Sequence, residues 1–156
     1  MSPEQVKLIK SSFASVLPIT EETCKLFYER LFALDPALRP WFKGDIAEQS
    51  RCLMRMIAVA VSSLDRLESI VPTLKALGVW HCGFGVMEAH CETVGQALLW
   101  ALEQRLGGSF TPDIAEAWSA ALQSISTLIG VLKACQRDRP QPKLCMTWLL
   151  IRRPAS

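Results

Sequence analysis

A chain of 156 residues, half of them apolar, is long enough for one domain with a real core. The net charge of +2 gives no whole-protein case for nucleic acid, and no run approaches the ~18 uninterrupted apolar residues of a membrane span. The N-terminus MSPEQVKLIK lacks the apolar run of a signal peptide, and the six cysteines show no CxxC or zinc-type spacing, so a cytoplasmic protein with reduced, mostly buried thiols is expected.

Ser2-Pro3-Glu4-Gln5 reads as a helix start, with a hydroxyl cap, proline in the first turn and glutamine closing a capping box. Val6, Ile9, Phe13 and Val16 then make one apolar stripe, and Pro18 ends the helix. Thr20-Glu21-Glu22 starts the next, with acids where the helix dipole favours them. Its broad apolar face takes in Cys24, Phe27, Tyr28, Leu31, Phe32 and Leu34. Tyr28 is the sole tyrosine, and its place on that face predicts a hydroxyl inside the protein in need of a partner.

Asp35-Pro36 caps a short helical turn that Arg39-Pro40 breaks, and Trp41-Phe42 leads to a corner at Lys43-Gly44. Asp45 with Glu48 reads as a second capping box. Gln49, Leu53, Ile57 and Leu64 follow along one face, which sets an amide on an apolar stripe; in a first turn, Gln49 can equally face water. In Ser69 to Cys82, Ile70, Leu74 and Leu77 form a stripe whose next position is His81. A neutral imidazole there carries a lone pair for a metal or a proton; otherwise it is a core histidine satisfied by a backbone carbonyl.

Gly83-Phe84-Gly85 stops that helix. Met87 to Leu106 is a long helix with His90, Val94, Ala97 or Leu98, Ala101 and Leu102 on its inner face. Gly107-Gly108 stops it, and Thr111-Pro112-Asp113 caps the last long helix, which runs inward-facing through Trp118, Leu122 and Leu128 to about Ala134. No stretch reads as a strand, so the domain is all-α, with five substantial helices and a short one. Residues 1–134 form this domain, and 135–156 a tail of different character. The tail carries five basic residues against Asp138 alone, a local charge of +4. Its apolar run Leu144 to Ile151 is too short to cross a bilayer; it either packs loosely on the last helix or makes a short amphipathic contact.

A core-facing histidine, an amide-bearing helix face before it, a lone buried tyrosine and the corner aromatic Phe42 together resemble a globin. The wording LFYERLFALDPALRPWF, EQSRCLMRMI, VPTLKALGVWHCGFGV and VGQALLWALEQRLGGSFTPDIAEAW resembles the bacterial single-domain globins, with echoes of neuroglobin, over about residues 3 to 133. The resemblance implies a three-over-three helical sandwich around haem, with a short or absent D helix. It implies haem b (iron protoporphyrin IX), since no CxxCH is present for covalent attachment. His81 would be the axial ligand of a pentacoordinate iron and Phe42 would stack on the porphyrin. Tyr28 and Gln49 would be the polar pair facing O₂, CO or NO, with Leu53 as the apolar wall. Val86, Val94, Trp118 and Leu122 would line the rest of the slot.

The sequence departs from its relatives around His81, where Trp80, Cys82 and Phe84 replace more basic or hydroxylated residues. Cys91 and Leu122 stand where relatives often place tyrosines, so the Nδ1–H of His81 is expected to bond a carbonyl one turn back, near Leu77. His90 is the rival ligand. The resemblance favours reversible O₂ binding, transport or storage over a dedicated enzyme, in a monomer or homodimer. Its alternative is nitric oxide dioxygenation, which would need a separate reductase, because these residues hold no Gly-rich strand–loop–helix fingerprint for a flavin or nicotinamide. A sensor or interaction module keeping the same shape is the third reading, and the tail is its only support.

Overall fold

The structure is a computed structural model that describes residues 1–130 except residues 43, 84, 85 and 87. It contains six α-helices: α1 (Pro3–Val16), α2 (Thr20–Leu34), α3 (Ile46–Ser62), α4 (Leu67–Gly83), α5 (Glu88–Leu106) and α6 (Pro112–Gly130). These are the six long segments read in order from the sequence, where the tally of five is one short, and among the described residues there is no strand. The boundary at residue 134 and the tail 135–156 lie outside the described residues.

The capping chemistry of α1 is as read from the sequence. Ser2 Oγ accepts the Gln5 N–H at 3.2 Å, and Gln5 Oε1 accepts the Ser2 N–H at 2.9 Å. Val6, Ile9, Phe13 and Val16 are all buried. Pro18 ends α1 without opening a loop, because Leu17–Ile19 continues as a 3-10 turn into α2. At α3, Asp45 accepts the Ala47 N–H at 2.9 Å, but among the described residues Glu48 does not return the bond that a capping box requires. α4 begins at Leu67, not Ser69, because the 3-10 turn Leu64–Arg66 feeds straight into it. The Ser69 hydroxyl turns back to donate to the Arg66 carbonyl at 2.7 Å. The 3-10 segment Pro36–Trp41 is followed by non-helical residues 42, 44 and 45, so no further helix intervenes before α3 among the described residues. Gly107 ends α5 in the left-handed region, at φ 51°, which glycine adopts without a Cβ penalty.

The helices pack as a six-helix bundle consistent with a three-over-three helical sandwich. The most extensive packing is α2 against α5, followed by α1 and α4 against α6. Ala97 and Ala101 on α5 and Ala117 and Ala121 on α6 are buried, and small side chains there let the backbones approach closely. Ile9, Leu31 and Leu102 are fully buried at the centre. One pair breaks this pattern. α3 and α4 are consecutive in the chain and share almost no contact among the described residues. α3 packs instead on α2 and α1, and α4 on α6.

Candidate functional site

His81 lies near the C-terminal end of α4, half-buried. Its Nδ1 is 2.8 Å from the Leu77 carbonyl oxygen. A carbonyl can only accept, so Nδ1 carries the proton and Nε2 is the lone-pair nitrogen of the neutral ring. Burial pushes the imidazole below its ordinary value near 6.5, with the Leu77 bond opposing in part, so the neutral form prevails at pH 7. The helix closes just beyond, where the Val86 N–H donates to the His81 carbonyl at 3.1 Å. Trp80, Cys82 and Phe84 lie outside the described side chains.

Gln49 sits in the first turns of α3 and is buried, which excludes the water-facing placement. Both Nε2 and Oε1 of its amide lack a hydrogen-bond partner. A buried amide left in this state costs about 1–3 kcal/mol relative to a satisfied one. Such a group points to a ligand that would complete it. Leu53, one turn on, is half-buried against the core.

Tyr28 is buried on α2, as its position on the apolar face predicts. Burial, reinforced by the nearby Cys24 and Cys52, pushes its phenol well above the ordinary 10, so the hydroxyl remains a donor at physiological pH. Its ring belongs to an aromatic trio. It stacks with Phe32 at 5.9 Å between centroids and meets Phe42 edge-on at 5.5 Å, and Phe32 meets Phe42 edge-on at 5.5 Å. Phe42 at the corner is therefore held in place by α2. Cys24, one helical turn before Tyr28, shares its apolar face as read from the sequence, whereas Cys52 on α3 carried no local sign of that proximity. Cys24 is buried, with Sγ 3.7 Å from the Ser50 carbonyl oxygen on α3, and burial pushes its thiol up against that contact.

The remaining candidates spread over several elements. Val94 on α5 and Leu122 on α6 are half-buried and pack on the core. Trp118 is buried between α6 and α1, where its indole N–H donates to Ser12 Oγ at 2.9 Å and its ring lies 6.4 Å from that of Phe13. Ser12 was not anticipated, because a serine next to a valine–isoleucine stripe carries no local sign of a partner 106 residues away. His90, the rival ligand, meets Trp41 edge-on at 5.1 Å between centroids.

Among the described residues, no group of three His, Cys, Asp or Glu side chains could hold a bare metal ion. A single imidazole suits a metal that arrives already held by a macrocycle.

The profile of the family named Globin matches residues 25–129, which span Tyr28, Phe42, Gln49 and His81. The chain belongs to the globin family. The globin is similar to the flavohemoprotein of Bacillus subtilis (strain 168), at 31% identity over 132 residues, 82% of this chain and 33% of that protein. Similar too are the flavohemoproteins of Deinococcus radiodurans, at 28% over 137 residues, and Halalkalibacterium halodurans, at 28% over 129 residues. These cover 85% and 81% of this chain and 34% and 31% of those proteins. The globin thus spans about a third of the length of the curated relatives it matches. No helix among its described residues is long and apolar enough to cross a membrane.

Proposed function

We propose that this globin binds haem b, which the Nε2 of His81 would hold, and that it oxidises nitric oxide to nitrate with electrons from a reductase. The observation that carries the reading is the buried, unpartnered amide of Gln49 on a helix that shares little contact with the one bearing His81. The names of the relatives, flavohemoproteins, support a flavin-linked electron supply.

When bound, haem supplies a redox-active iron open to diatomic gases. The protein's own part is to position and to exclude. The Leu77 carbonyl fixes the tautomer and orientation of His81. Phe42, braced by Tyr28 and Phe32, offers an aromatic face to a flat ring. Tyr28 and Gln49 supply donors to a gas carrying partial negative charge, each worth roughly 1–2 kcal/mol, or about ten-fold in affinity. Leu53, Val86, Val94 and Leu122 keep water away, which strengthens those bonds. Overall, NO, O₂ and one electron give nitrate, so each turnover draws one electron from the reductase.

Reversible O₂ binding for transport or storage is the second reading. It is favoured by the neutral carbonyl behind His81, which enriches the ring in electrons less than a carboxylate would and so suits ligand release over peroxidase-like chemistry. An absorption series on the purified protein tests the cofactor, and the native protein shows a Soret band that His81→Ala loses. A His81→Ala variant with the native spectrum overturns the assignment. Steady NO consumption with NADH and a reductase, lost in Tyr28→Phe, selects the enzymatic reading; a stable oxygen complex without such turnover selects storage.

A further inference from the structure

A cleft of about 530 Å³ is lined by residues of α2, the 3-10 segment Pro36–Trp41, the Phe42 corner and the start of α3. Its size falls in the ~300–1,000 Å³ range of small-molecule sites. Among the described residues, none of α4, α5 or α6 lines it, and neither His81 nor Gln49 does. Tyr28, Phe32 and Phe42 line it, with Tyr28 the most buried of the three, and they form an aromatic wall for an apolar ring. Lys25, Arg39 and Arg51 stand on its rim, all exposed. The Arg39 guanidinium lies 5.0 Å from the centroid of Phe32, so a cation already sits beside the aromatic wall.

None of these three cations joins an ion pair among the described residues, where the one ion pair is Lys10 with Asp65 on another face. Glu21 and Glu29 share the rim. Among the described lining residues, three cations against two carboxylates leave one excess positive charge, which favours an anionic group. Guanidinium groups pair with a carboxylate through two parallel hydrogen bonds.

We propose that this cleft binds a small planar aromatic carboxylate, its ring on Tyr28, Phe32 and Phe42 and its carboxylate between Arg39 and Arg51. Tyr28 and Phe42 are shared with the proposed haem site, and Lys25, Arg39 and Arg51 are not. The cleft itself does not depend on haem.

The chain's single tyrosine makes the test specific, because ring-labelled tyrosine reports on Tyr28 alone. 2-Naphthoate is titrated into the purified protein and the Tyr28 ring signals are followed by NMR. A saturable shift is expected with a Kd below about 1 mM, and at least ten-fold weaker binding for the neutral 2-naphthalenemethanol. Arg51→Gln, at an exposed position, is expected to weaken binding three- to ten-fold, and Arg39→Gln likewise. The titration is repeated under carbon monoxide on the reduced protein, where binding persists if the ligand sits in the cleft. Absence of a saturable Tyr28 shift, equal affinity in Arg51→Gln, equal affinity for the neutral analogue, or loss of binding under carbon monoxide would each overturn the proposal. None of these outcomes bears on whether His81 holds haem.

Discussion

The Nδ1 of His81 and the carbonyl of Leu77, four residues earlier on α4, lie 2.8 Å apart, and this one contact sets the chemistry of the ring. The proton is on Nδ1 and the lone pair on Nε2. Histidine-selective ¹⁵N NMR at pH 7 should therefore show the Nδ1–H tautomer for His81. An Nε2–H signal would contradict the orientation that makes Nε2 the ligating nitrogen.

Gln49 yields a prediction with opposite signs in two states of the protein. Its amide lacks a partner without haem, so Gln49→Leu should raise the stability of the haem-free protein by about 1–3 kcal/mol. In the haem-loaded protein the same change should speed oxygen release roughly ten-fold. Denaturant unfolding and stopped-flow oxygen displacement read the two effects. A destabilised haem-free variant would mean that Gln49 has a structural partner.

Trp118 and Ser12 tie α6 to α1. Ser12→Ala strands a buried indole N–H and should cost about 1–3 kcal/mol in urea unfolding. The visible spectrum should stay the same, since the bond belongs to the α1–α6 contact. A variant as stable as the parent would show that water replaces the serine hydroxyl.

Tyr28 offers a pH test. Its phenol is held well above 10 in the folded protein, while the unfolded chain ionises near 10. Above pH 10 the unfolded state has shed a proton that the native state retains, so stability falls as pH rises. With one tyrosine in the chain, absorbance near 295 nm should rise only together with unfolding measured by circular dichroism. Ionisation well before unfolding would show the hydroxyl to be in water.

The sequence alone determined the helices, most of their caps, the burial of Tyr28 and the partner of His81. These are local: the Ser2–Gln5 box, the glycine stop at Gly107 and the Leu77–His81 bond each span a few residues of one helix or its end. It left Gln49 undecided between water and core, and it gave no sign that Ser12 and Trp118 would meet. It likewise could not show that α3 and α4 share little contact, or that Tyr28, Phe32, Phe42 and the arginines line one cleft. Those features depend on how whole helices cross. Periodicity places a side chain on a face, but only packing between elements distant in the chain decides what that face meets.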